Sequence, residues 1–184
     1  MKFLLVSDLH GQKNTPKLLE RVITLEKPNA LICCGDLTTY DEIDFVDKVF
    51  EVFESSRIPC FTIWGNCDMP NVRKKILGSL YNIHLKLKKV GNDKIYGIAD
   101  TDDLPQISPE FIAGSILVTH RPPAKVALDV KFSGAPRFHV CGHIHYQAKQ
   151  TDYLSTSLIQ VPSLTLNRYA ILDTKTSLAR FKRI

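Results

Sequence analysis

No long apolar run exists in this sequence: stretches such as Phe3–Val6 and Ile116–Val118 break off after a few residues, far short of the roughly 20 that a membrane-spanning helix needs. Cysteine is scarce as well, with 5 residues, an odd number and no CxxC pair. That excludes a disulfide framework and fits reduced thiols, four of them (Cys33, Cys34, Cys60 and Cys141) inside apolar runs where a cysteine serves as a small hydrophobe. Low-complexity segments are missing too, and with 44% hydrophobic and 23% charged residues neither disorder nor a fibrous repeat is expected. The apolar opening Met1–Val6 imitates a secretion signal, but Asp8 and His10 interrupt it and no small-residue cleavage site follows, so a cytoplasmic protein is expected.

The 184 residues show no linker or composition break and are read as one domain spanning 1–184, long enough to bury about 70% of the unfolded surface. Lysine and arginine exceed the acidic residues by 5, with the excess at Arg73-Lys74-Lys75, at Lys86, Lys88 and Lys89, and at Arg180, Lys182 and Arg183. Such scattered clusters permit a phosphate-bearing partner, rank nucleic acid low, and give no membrane partner and no oligomeric state.

Lys2–Ser7 reads as a buried strand. Thr15-Pro16 then opens a helix with the stripe Leu18, Leu19, Val22, Ile23 and Leu25, which Pro28 ends. Ala30–Cys34 is a second strand, and Thr39 with Glu42 has the capping-box spacing before a helix carrying Ile43, Phe45, Val46, Val49, Phe50 and Phe53. Ile58–Trp64 is a third strand, followed by a short helix to about Leu77 capped by Asp68 or Asn71. Two β-α repeats argue for a parallel α/β core. Beyond them come alternating residues over 83–88 and then Lys94–Ala99, Ser115–Thr119, Arg137–Cys141, Leu158–Val161, Tyr169–Asp173 and Leu178–Arg183, mostly strand-like. The expectation is a largely parallel N-terminal sheet packed on a more mixed C-terminal one.

Each core strand runs into a polar cluster: Asp8-Leu9-His10, Gly35-Asp36, Gly65-Asn66-Cys67-Asp68, Thr119-His120 and Gly142-His143-Ile144-His145. The first three recur about one β-α unit apart, which delivers them to the same sheet edge, where ligands bind in open α/β folds. Singly, each is an ordinary cap or turn. Together they gather two aspartates, an asparagine and four of the 6 histidines, nitrogen and oxygen donors suited to divalent transition metals. Seven donors exceed one tetrahedral shell and suit two ions sharing a carboxylate.

In these motifs the sequence resembles the calcineurin-like metallophosphoesterases, whose pattern is D-x-H, GD, GN-H-D/E, a strand-end His and GHxH; the likeness runs from Lys2 to about His145. It implies an α/β fold of two packed mixed β-sheets flanked by helices. It also implies a first metal position at Asp8, His10, Asp36 and His145, and a second at Asp36, Asn66, His120 and His143, with Asp36 bridging. Asp36, Asn66, Cys67 and His120 are then the residues nearest the chemistry. The expected activity is phosphate-ester hydrolysis, a diesterase before a monoesterase, in which a hydroxide bridging two divalent transition ions attacks phosphorus in line. Manganese stands first among the candidates, followed by iron, zinc, cobalt and nickel.

Two departures from the family pattern matter. Cys67 replaces the histidine that usually follows Gly-Asn, and a thiol cannot be a cation near pH 7 as imidazolium can. Thr119 replaces a common glycine before His120, and Arg121-Pro122-Pro123 follows, placing Arg121, together with Asn66, as a candidate for substrate phosphate. Val161-Pro162-Ser163 stands where many members have an Asn-Pro-Gly-Ser turn. His84 is read as a surface residue, His139 as a strand residue outside the metal set, and Tyr40 and Tyr146 as neighbours of the motif loops. The alternatives are a catalytically weak metal-binding scaffold like the retromer subunit of this superfamily, or a nuclease acting on RNA ends.

Overall fold

A computed structural model describes residues 1–102, 107–123, 135–153 and 155–184. The first sheet is built from β1 (Lys2–Val6), β2 (Ala30–Cys33), β3 (Cys60–Thr62), β10 (Arg168–Asp173) and β11 (Leu178–Arg183), in the order β11-β10-β1-β2-β3. The second contains β4 (Leu87–Val90), β5 (Asp93–Ile98), β6 (Ile116–Thr119), β7 (Phe138–Cys141), β8 (Lys149–Tyr153) and β9 (Thr156–Gln160), in the order β4-β5-β6-β7-β9-β8. The helices are α1 (Thr15–Glu26), α2 (Ile43–Ser56), α3 (Pro70–Leu77) and the single turn α4 (Pro109–Ile112). Both sheets are mixed: β1, β2 and β3 run parallel, as do β5, β6, β7 and β9, while β10, β11, β4 and β8 pair antiparallel.

The unbroken apolar runs Phe3–Val6 and Ala30–Cys33 are buried throughout, as strands covered on both faces must be. In β6 the two-residue period separates two layers. Ile116 and Val118 join the main core between the sheets, whereas Leu117 faces the other way with Tyr96, Ile98, Ile107 and the Ile112 of α4. On the far side of the first sheet α1 packs on α2 and α2 on α3, giving the helix, sheet, sheet, helix order expected. Among the described residues no helix is long and apolar enough to cross a membrane.

Several local expectations are corrected. The C-terminal strands β10 and β11 do not belong to the second sheet but return to the first, beside β1. β8, a polar edge strand, carries no hydrophobic signal. Leu25 is exposed, because the buried face of α1 is Thr15, Pro16, Leu19 and Val22. Thr39 does not cap α2; only the return half of the capping box forms, with the Glu42 carboxylate accepting from the Thr39 and Tyr40 N–H groups (3.2 and 3.3 Å). Neither Asp68 nor Asn71 caps α3. Leu85 has φ 53°, which breaks the alternation over 83–88, so β4 begins only at Leu87. His84 is accordingly half-buried: its ring lies 4.4 Å from that of Trp64, and its Nδ1 accepts the Ala99 N–H (3.0 Å).

His139, on the outward face of β7, is buried and its Nε2 meets the Thr119 hydroxyl (2.8 Å). Burial pulls its imidazole down to about 4, whereas in an unfolded chain it titrates near about 6.5. As pH falls the unfolded state therefore takes up the proton first, so the stabilisation is complete above about 6.5 and lost toward 4. Urea unfolding between pH 7 and pH 4 is expected to show the wild type losing about 3 kcal/mol more than His139→Gln; identical pH profiles contradict this.

Candidate active site

The five polar clusters converge where the C-terminal ends of β1, β2 and β3 in one sheet meet those of β6 and β7 in the other. The first two loops are laced by backbone bonds, with Asp8 N–H donating to Gly35 O (3.0 Å) and Leu9 and His10 N–H to Asp36 O (2.8 and 3.1 Å). The loop after β3 is fixed by the Cys67 N–H donating to Asp36 Oδ1 (2.8 Å). Within the second sheet Gly142 N–H donates to His120 O (2.9 Å), and His143 N–H joins that sheet to the first by donating to Asp8 Oδ2 (3.1 Å). Two motif glycines make these approaches feasible. A β-carbon on Gly65 would overlap the Asp36 carboxylate, and one on Gly142 would overlap Ser7 Oγ and crowd Asp8 Oδ2.

Asp8 (φ 57°), His10 (φ 51°), Asp36 (φ 51°) and His143 (φ 68°) all hold left-handed backbone. For non-glycine residues this conformation costs on the order of 1–3 kcal/mol each and persists where surrounding structure enforces it, most often at functional sites.

The side chains form a buried floor and an open mouth. Asp8, Asp36 and His120 are buried; His10, Asn66, Cys67 and His143 are half-buried, and His145 is exposed. The His120 Nδ1–H donates to the Cys34 carbonyl (2.8 Å), so in the neutral ring Nε2 carries a lone pair. Facing it are Asp36 Oδ2 at 3.2 Å and Asn66 Oδ1 at 3.0 Å. Three acceptors at one point repel unless a proton or a cation lies among them. On the other side, Asp8 Oδ1 is buried without a hydrogen-bond partner. It faces the Nε2 atoms of His145 (3.3 Å) and His10 (3.8 Å), which lie 3.0 Å from each other. His10 Nε2 is also 3.8 Å from Asp36 Oδ2, and the His143 ring stands edge-on to that of His120, centroids 5.2 Å apart. An unsatisfied buried carboxylate oxygen costs about 1–3 kcal/mol or more. This donor set, hard carboxylates and imidazoles aimed inward, fits divalent cations, and compatible groups of donor atoms recur at Asp8, His10 and His145, and at Asp8, Asp36 and His120.

Without a cation the protons redistribute to the same end. Burial lowers His120, but the bond to Asp36 and its charge outweigh that and hold the imidazole above its ordinary range. Burial likewise raises Asp36, yet His120, the Cys67 N–H and the charge of His10 bring its carboxyl below the usual range. His145 is raised chiefly by the Asp8 carboxylate 3.3 Å away. His10 is lowered, burial outweighing the two carboxylates.

All seven expected ligand residues are thus brought together, with Cys67 beside them. Arg121 is not turned freely to solvent: its Nε and Nη2 donate to the two carboxylate oxygens of Asp100 (2.8 and 3.3 Å). Tyr40 and Tyr146 are exposed beside the motif loops. Sequence reasoning missed the residues that hold the ligands in place. The Thr39 hydroxyl meets His10 Nδ1 (3.0 Å). Asp68 accepts from the Thr38 and Gly65 N–H groups (each 2.9 Å), locking the second and third loops together, and Arg73, read as surface charge, donates to the Asp68 carbonyl (2.6 Å). Ser163 is buried; its N–H donates to His145 O (2.9 Å) and its hydroxyl to Asp8 O (2.7 Å), clamping loops from both sheets. For Asp68 the D/E that closes the third motif was an available signal; for Ser163 the signal was its place in Val161-Pro162-Ser163, where many members have an Asn-Pro-Gly-Ser turn, but its reach to two main-chain carbonyls was not readable from that.

The family model for calcineurin-like phosphoesterases matches residues 1–147. The chain belongs to the calcineurin-like phosphoesterases. The chain is similar to the uncharacterized Methanocaldococcus jannaschii protein MJ1162, 26% identical over 211 aligned residues that cover 95% of this chain and 93% of that protein. Among solved structures, Thermus thermophilus TT1561 superimposes with a TM-score of 0.73 at 12% identity, covering 99% of this chain and 98% of its own. A structure described as a novel archaeal phosphodiesterase does so with a TM-score of 0.64 at 15% identity over 100% of both chains. These likenesses establish a metallophosphatase-type fold, and beside the family match stand clustered residues that could hold a metal ion.

Thr39 touches His10 on the side away from the other ligands, so Thr39→Val should leave the fold intact by circular dichroism. It should also weaken divalent-metal binding about 10- to 100-fold, as loss of a ligand's outer partner does. Titration calorimetry that finds wild-type affinity for manganese or zinc in this variant contradicts the assignment.

Proposed function

We propose that this protein is a two-metal phosphoesterase, a diesterase before a monoesterase, acting through residues 1–184 as a single unit. The observation that carries the reading is the pair of acceptor foci, one at the partnerless buried Asp8 Oδ1 with His10 and His145, the other at His120 Nε2 with Asp36 Oδ2 and Asn66 Oδ1. Asp8, His10, Asp36 and His145 would hold one ion, and Asp36, Asn66, His120 and His143 the other. Asp36 lies between them, because a carboxylate is the neighbour that two mutually repelling cations tolerate best. When bound, such ions supply Lewis acidity, which acidifies water near neutral pH and neutralises charge on phosphoryl oxygens. Manganese suits the all-oxygen-and-nitrogen position around Asn66.

The chain's own residues do the positioning. Cys34 O and Thr39 fix the rings of His120 and His10, and the Asn66 amide nitrogen donates to Cys67 Sγ (3.2 Å), which turns its oxygen toward His120. Two carboxylates against two dications leave the centre positive, so it attracts phosphate. Arg121, held by Asp100 on the loop that carries His120, adds a further cation for the substrate. The exposed His145 leaves the site open to solvent on that side. At the position after Asn66 no imidazolium can form, so esters with good leaving groups should turn over fastest. The five free thiols fit the reducing cytoplasm.

Asp36→Asn removes the charge between the two foci. With manganese present, its hydrolysis of bis(p-nitrophenyl) phosphate should fall by about 10³-fold or more, corresponding to several kcal/mol of transition-state stabilisation. Retained turnover in Asp36→Asn, or a metal-loaded wild type inert on both diesters and monoesters, contradicts the proposal; the latter is what a binding scaffold would show.

A further inference from the structure

Four of the five cysteines are buried in the apolar core, and Cys67 is the one that is not. Its sulfur, a carboxylate oxygen of Asp36 and a ring nitrogen of His10 all lie within 4.8 Å of one another. The residue is locked there, since its N–H donates to Asp36 Oδ1 (2.8 Å) while its sulfur accepts from Asn66 Nδ2 (3.2 Å). His10 also belongs to the neighbouring group with Asp8 and His145. Asp8 Oδ1, 3.8 Å from the His10 Nε2 atom, is fully buried and without a hydrogen-bond partner. A cation held between His10 and Asp36 therefore has the Cys67 sulfur within reach of its coordination shell, and His10 is shared with the group that includes Asp8.

We propose that Cys67 Sγ is a ligand of the first metal position, alongside Asp8, His10, Asp36 and His145, and makes that position thiophilic. The proposal rests on the two-metal reading above. On loading, the sulfur–metal bond forms as the thiol proton passes to solvent water, with no change of oxidation state. A shell of two imidazoles, two carboxylates and one thiolate favours zinc, cobalt or iron over manganese. The second position, with Asn66, His120 and His143, keeps only oxygen and nitrogen donors. The two positions then differ in metal preference, and a sulfur committed to a metal is not a proton donor to the leaving oxygen.

The test is optical and does not depend on turnover. Under reducing conditions, titrating the metal-free protein with Co²⁺ should produce an intense near-ultraviolet sulfur-to-cobalt charge-transfer band. Cys67→Ser should take up cobalt without that band. X-ray absorption on the zinc-loaded wild type, which needs no variant, should show a sulfur neighbour at about 2.3 Å beside the nitrogen and oxygen shell. Cobalt uptake without the band, a zinc shell of nitrogen and oxygen alone, or a band that persists in Cys67→Ser overturns the Cys67 assignment and leaves the two-metal reading intact. A wild type that takes up neither ion overturns both.

Discussion

Repulsion among acceptors governs this molecule. Asp8 Oδ1, Asp36 Oδ2, Asn66 Oδ1 and the Nε2 atoms of His10, His120 and His145 crowd into one region whose floor is closed to water. Among the described residues, none donates a hydrogen bond to Asp8 Oδ1. The fold nonetheless spends left-handed backbone at Asp8, His10, Asp36 and His143 to hold them there. Strain and desolvation at the same residues, both unfavourable by themselves, are intelligible if positive charge is the missing partner.

Two sheets are needed to build that arrangement. Parallel β1, β2 and β3 deliver three clusters to one edge, and parallel β6 and β7 deliver two more from the facing sheet. The seam between the sheets is stitched by the shortest-range forces available, main-chain hydrogen bonds, which hold ligand loops to within the tolerance that catalysis requires. Ser163 shows this most clearly: one small buried residue, placed after the second sheet is complete, reaches the carbonyls of Asp8 and His145 at once. The chain then re-enters the first sheet as β10, antiparallel to β1.

Much of the centre was legible before any coordinates because each ligand cluster directly follows a buried apolar run, and a strand's end is where its polar residues leave the core. The two-sheet architecture and the helix order were legible for the same reason. The rest failed for identifiable causes. Hydrophobic pattern says that Tyr169–Asp173 is a strand but not which strand it pairs with, so its return to β1 was invisible. β8, with the sequence KQTDY, is a solvent-facing edge and carries no pattern at all. His84 looked solvated because its partner Trp64 is distant in sequence, and the pairing of Arg121 with Asp100 was hidden for the same reason. Thr39, Glu42 and Asp68 have the composition of helix caps, and the structure uses the same hydrogen-bonding capacity to tie loops together instead.

The central claim is spatial, that two cations share Asp36, and anomalous diffraction from crystals loaded with a transition metal tests it most directly. The account predicts two anomalous peaks about 3.5–4 Å apart, one against Asp8 Oδ1 and His10, the other against Asn66 and His120, with the Asp36 carboxylate between. A single peak at full loading, or metal bound elsewhere while this cluster stays closed on its own protons, would contradict it.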